Sequence, residues 1–250
     1  MLRKLSSILI CLIALTACTP TPRINDEPIK SGYVGLLIER TEKLHSAAYL
    51  MDLRVNKDGE KNSVITELYF SGDSVGFYGR GYLGKGTFKG NIIDNNITVY
   101  FPDANEYFQN SVDRLNLEAD CTRPSEVLFF VMSLLSGEEP GILNGESAFG
   151  TRQKLEYQDK RFLRTVFLKK GIFPKKEKLI DSNCGDSILV RYMRFDEDFP
   201  YYKVRDILYH NDRHNFKAIG FIREQKYNIS LPAAKFIVNY PDDAVRIESF

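Results

Sequence analysis

Three spacings in the 250-residue chain have the form of chemical sites. Gly79-Arg80-Gly81-Tyr82-Leu83-Gly84 spells the G-x-G-x-x-G of a phosphate-cradling loop. Such a loop works between a strand and a helix N-terminus, whose free amides meet the phosphate. Aromatic, strand-like sequence follows it here, so a bent strand is expected. His210 and His214 stand four apart, a zinc spacing if helical. They flank Asn211-Asp212-Arg213, which reads as a hairpin turn, where that spacing loses its meaning. Gly145-Glu146-Ser147-Ala148-Phe149-Gly150 misses the nucleophile elbow by one residue and lacks its strand–helix context. His45, expected on a first helix, has no visible partner. No carboxylate pair can be placed from spacing. The expectation is no catalytic residue, no metal, no cofactor and no enzyme.

The cysteines are more informative. Arg3 and Lys4 precede an apolar run from Leu5 to Leu15, too short to span a bilayer as a stable helix. Leu15-Thr16-Ala17-Cys18 closes it and resembles the lipobox of bacterial lipoproteins. That resemblance implies a signal peptide over 1–17, cleavage before Cys18 and acylation of Cys18, hence membrane anchoring outside the cytoplasm. Thr19, not aspartate, follows Cys18. In enterobacteria-like sorting this implies an outer-membrane, periplasm-facing protein. Cys121 and Cys184 remain after Cys11 leaves with the signal. They either pair as a disulfide or stay as two buried thiols.

Without the signal the formal charge is about −1. A nucleic-acid partner, which needs a basic surplus, is not expected. Seventeen Phe and 14 Tyr with no Trp lean toward β structure.

These residues need elements to hold them. Residues 18–30 carry three prolines and little to bury, and read as a lipidated, disordered tether. A single domain is expected over 31–250. Ser31 reads as an N-cap. Tyr33, Leu36, Leu37, Leu44 and Ala48 then keep helical spacing, with Glu39, Arg40, Glu42 and Lys43 on the opposite, polar face. From Tyr49 the period becomes two. Turns at Asn56–Gly59, Gly72-Asp73 and Asp94–Asn96 separate short strands, a β-meander. Pro124 and Gly137 bracket a helix that is apolar all round (Val127 to Met132, Leu134, Leu135), which must be enclosed by other elements or fill a concavity. Strands resume at Lys154–Gln158, Phe162–Leu168, Ser187–Phe195, Tyr202–His210 and Phe216–Arg223. Ala234–Asn239 forms a final piece.

This order resembles the Lol-pathway (LolA/LolB-like) superfamily, the periplasmic lipoprotein carrier and the outer-membrane lipoprotein receptor. Phe88-Lys89-Gly90, Ile97 to Pro102 and Tyr107-Phe108 carry the likeness in the first half. Leu231-Pro232, Phe236-Ile237-Val238, Pro241 and Ala244 to Ile247 carry it at the end. The resemblance implies an α+β fold. It is a strongly curved antiparallel β-sheet, an unclosed half-barrel, with an N-terminal amphipathic helix and an apolar lid helix over the concave face. The carrier's functional arginine matches no position here. Val127, Leu128, Val131, Leu134, Leu135, Phe70 and Tyr100 are the expected cavity lining, against the alternative of a fully packed core.

Ile172 and Phe173 sit at a Gly/Pro turn bracketed by lysines, including Lys170 and Lys175. That is the composition of a membrane-touching loop, with a strand end as the alternative reading. Two functions follow as expectations. One is binding of lipid or lipoprotein acyl chains in the half-barrel. The other is an adaptor lipoprotein that offers the same fold to an envelope protein partner.

Overall fold

The computed structural model describes residues 27–81, 87–116, 123–136, 148–151, 154–158, 161–169, 173–193, 203–211, 213 and 215–248. Helix α1 spans Glu27–Lys43 and helix α2 spans Pro124–Ser136. Among the described residues, fourteen strands form one sheet. They are β1 (Ser46–Lys57), β2 (Glu60–Ser71), β3 (Ser74–Gly81), β4 (Phe88–Ile93), β5 (Asn96–Phe101), β6 (Glu106–Ser111), β7 (Ala148–Thr151), β8 (Lys154–Gln158), β9 (Phe162–Lys169), β10 (Phe173–Asp181), β11 (Ser187–Tyr192), β12 (Val204–Asn211), β13 (Phe216–Tyr227) and β14 (Val245–Ile247).

The spatial order is β14-β6-β5-β4-β3-β2-β1-β13-β12-β11-β10-β9-β8-β7. All pairs are antiparallel except β14 on β6, which is parallel. The sheet is curved and unclosed, an α+β half-barrel. Two meanders meet where β1 pairs with β13. One runs outward from β1 to β6, the other inward from β7 to β13. The chain must therefore cross from one flank of the sheet to the other between β6 and β7, and α2 lies in that crossing.

Turn chemistry sets the hairpins. Asp58 and Gly59, and Asp94 and Asn95, hold positive φ, which two-residue hairpin turns of right-handed strands require. Strand alternation then separates two faces. Tyr49, Met51, Phe70, Val75, Ile92, Val99 and Phe108 belong to the buried inner face shared with the helices. Two glycines make room there. A Cβ on Gly79 would lie 2.1 Å from the Phe88 ring, and one on Gly90 would lie 2.2 Å from the Phe77 ring. Each ring thus lies over the opposite glycine. Gly79, the first glycine of the G-x-G-x-x-G run, thus has a packing role in a strand, and Gly81 ends that same strand. Gly84 lies outside the described residues.

Several expectations are corrected. Helix α1 begins at Glu27, not Ser31, so residues 27–30 form its first turn rather than tether. It ends at Lys43, and Ala48 is in β1. His45 is past the helix, its backbone N–H donating to Asn228 Oδ1 at 2.9 Å. Arg40, expected on the polar face, is fully buried. Ala234–Asn239 is not a strand: Ala233–Lys235 is a short 3-10 turn within a strap, and the pairing strand comes later, at β14. The strap lies on the outer face. Asn91 Nδ2 donates to the Phe236 carbonyl at 2.7 Å, and Tyr240 stacks on Tyr107 at 4.2 Å between centroids.

Candidate functional site

Helix α2 is the centre of the inner face. Pro124 takes its first position, where a missing N–H costs nothing. Glu126 accepts from the Arg123 backbone N–H at 2.9 Å, half of a capping box. Its other oxygen accepts from Arg161 Nη1 at 2.8 Å. Arg161 also meets Asp181 of β10 at 2.7 Å, so it ties the start of α2 to the sheet. Hydrogen bonding to Asp181 is the main cause that holds the Arg161 guanidinium above its ordinary pKa, so it stays charged.

The far end of α2 is held differently. A helix leaves its last carbonyls without intrahelical partners. Arg40 Nη2 of α1 donates to the Leu134 carbonyl at 2.9 Å, and Tyr49 Oη of β1 donates to the Leu135 carbonyl at 2.6 Å. A cation there also complements the negative end of the helix dipole. Burial pushes the Tyr49 phenol well above its ordinary pKa, so it remains a neutral donor. Tyr49 is itself set by edge-on contacts with Phe70 at 5.8 Å and Tyr227 at 6.1 Å.

Between these ends the helix is apolar and unequally covered. Leu134 and Leu135 are fully buried, each worth about 1.5–3 kcal/mol. Val127, Leu128, Phe130, Val131 and Met132 are only partly buried, and Phe129 is 40% exposed. Among the described residues, the helix thus packs on the inner face and leaves part of its apolar surface, at Phe129, exposed.

The sheet beneath differs between flanks. The β3–β6 side presents Val75, Ile92, Ile97, Val99 and Phe108. The β9–β11 side includes buried charge: Arg164 pairs with Glu177, which also accepts from Tyr192 Oη at 2.8 Å. The Arg164 guanidinium lies 5.8 Å from the Phe130 ring of α2.

The structure places the expected site residues as follows. Val127, Leu128, Val131, Leu134 and Leu135 are on α2, and Phe70 sits beside Tyr49 on the inner face. Tyr100 does not join them. Alternation from buried Val99 puts it on the outer face, where it meets Tyr240 of the strap at 6.1 Å and Asn105 at 3.2 Å. Phe173 and Lys175 lie within β10, not in a free loop, with Phe173 paired opposite Lys169. Lys170 and Ile172 lie outside the described residues, as do Cys18 and Cys121. Cys184 is held in a disulfide. His210 is on β12, and no His, Cys, Asp and Glu cluster among the described residues is suited to a metal. No described helix is long and apolar enough to cross a membrane.

Arg40, Tyr49, Arg161 and Glu126 were not among the expected site residues. Their signal is faint in sequence, because each works through a helix end set by tertiary packing.

The arrangement defines an open half-barrel with a helix lying across its inner face. No family model and no curated protein sequence matches the chain. Solved structures do. A DUF1329 family protein from Desulfovibrio piger aligns at TM-score 0.53 and 11% identity, over 84% of this chain and 97% of that one. A putative outer membrane lipoprotein-sorting protein domain from Vibrio parahaemolyticus aligns at TM-score 0.52 and 14% identity, over 85% and 97%. The chain shares the fold of these two structures.

Proposed function

We propose that this chain is a non-enzymatic envelope lipoprotein that takes lipid or lipoprotein acyl chains between α2 and the inner face of its half-barrel. One observation carries the reading. Helix α2 is apolar along its length, its middle is incompletely covered, and its directional polar ties gather at its two ends. Dispersion and burial are non-directional, so an acyl chain can replace side-chain contacts along the middle without leaving a polar group unsatisfied. The fold shared with a putative lipoprotein-sorting domain supports the same reading.

Anchoring through acylated Cys18, with outer-membrane placement, supplies the setting. We assign Cys121 as the disulfide partner of Cys184, since Cys11 leaves with the signal and Cys18 carries lipid.

All described elements lie within residues 27–248, so a chain starting at residue 19 contains the whole sheet. The test is to purify that chain under native conditions and extract it for lipid mass spectrometry. Fatty acyl species in near-equimolar amount are expected. A folded protein that carries no acyl species, and takes up none when offered, contradicts the proposal.

A further inference from the structure

The outer face of the sheet divides into two parts. The strap of residues 228–248 covers one part: Lys235 Nζ bonds Tyr69 Oη at 2.6 Å, and the Lys235 carbonyl fits where a Cβ on Gly76 would lie 2.1 Å away. The other part, across β2, β1 and β13, carries a groove of about 480 Å³. Its cations are Arg54, Lys61, Lys217 and Arg223, with Ile65 and Ile219 as apolar lining and Asp52 as its one carboxylate. Asp52 is already committed, accepting from Arg223 Nε at 2.8 Å and Nη2 at 2.6 Å. Arg54 lies over the Phe221 ring at 5.0 Å, which fixes its guanidinium at the groove. Arg54, Lys61 and Lys217 are exposed and have no ion-pair partner among the described residues. Alternation puts these side chains on the face opposite Tyr49, so the groove does not open into the space under α2.

We infer that this groove docks an acidic segment of a protein partner. Charge complementarity argues for it: three cations without an ion-pair partner among the described residues line one site of a chain whose total charge is near zero. The recessed shape and the apolar lining favour an extended segment mixing carboxylate and aliphatic side chains over a flat bilayer surface. This proposal stands apart from acyl binding, because the two sites lie on opposite faces.

The test uses the chain from residue 19 and a fluorescent decapeptide of alternating Glu and Leu. The Lys/Leu counterpart and vesicles of phosphatidylglycerol or phosphatidylcholine serve as controls. The acidic peptide is expected to bind saturably, more weakly as salt rises, and roughly tenfold more weakly to the triple variant Arg54→Ala, Lys61→Ala, Lys217→Ala. These are exposed side chains, so the variant keeps the wild-type melting curve and the same fatty-acid uptake. No binding of the acidic peptide, equal binding of the Lys/Leu peptide, or an unaffected triple variant overturns the inference. Capture by phosphatidylglycerol vesicles without peptide binding overturns it in favour of a membrane surface.

Discussion

The Arg40 guanidinium of α1 donates to the Leu134 carbonyl of α2 across 94 positions of sequence. This bond joins the ends of the two helices and buries a cation where the α2 dipole is negative. Arg40→Met therefore removes a charge-assisted bond and leaves a terminal carbonyl unsatisfied. The expected loss is about 1.5–3 kcal/mol in urea unfolding. A loss below roughly 0.5 kcal/mol would mean the contact does not hold α2.

Tyr49 supplies a pH signature. Its phenol is held well above the ordinary value of 10.0 by burial, followed by the effect of nearby Tyr227. The native state thus favours the neutral phenol, a contribution fully present below pH 10 and lost as the pH rises beyond it. Tyr49→Phe is expected to lower stability at neutral pH, by about 1 kcal/mol, and to make the decline above pH 10 shallower. Parallel slopes for the two proteins there would contradict this assignment.

Arg161 and Glu126 separate a structural tie from a surface pair. Glu126→Gln removes one partner of a partly exposed contact and is expected to cost under about 1 kcal/mol. Arg161→Gln takes the cation away from Asp181, which is 1% exposed, and is expected to cost about 1–3 kcal/mol. Equal effects of the two substitutions in chemical unfolding would contradict this division.

Gly79 tests the aromatic-over-glycine pairing. Gly79→Ala forces a methyl group against the Phe88 ring and is expected to cost about 1–3 kcal/mol. Adding Phe88→Ala is expected to cost less in that background than in the wild type. A double-mutant cycle with coupling of at least about 0.5 kcal/mol supports the contact, and strict additivity contradicts it.

The period change after Tyr49, the turns at Asp58-Gly59 and Asp94-Asn95, and the bracketing of α2 by Pro124 and Gly137 made most of the sheet and its apolar helix legible. Strand β10 was hidden. Ile172, Phe173 and the lysines around them read as a membrane-touching loop or a strand end, because the inward position within the lysine run is filled by charged Glu177, which pairs with Arg164, and not by an apolar residue. Arg40 was misplaced for the same reason. A lone cation on an amphipathic helix reads as solvent-facing, and only the distant Leu134 carbonyl explains its burial. Tyr100 looked like lining because strand alternation gives two faces without saying which is inner. The strap with Tyr240 decides it, and its irregular backbone carries no periodic pattern.

The most direct measurement of the central claim is titration of the chain from residue 19 with a fluorescent long-chain fatty acid, alongside a Val131→Asp variant. The account predicts saturable uptake near one probe per chain. It predicts at least about tenfold weaker uptake by the variant, since a carboxylate on the middle of α2 replaces apolar contact with a charge that must stay hydrated. Saturable uptake that Val131→Asp leaves unchanged, or no uptake by a folded wild-type protein, would contradict an acyl site beneath α2.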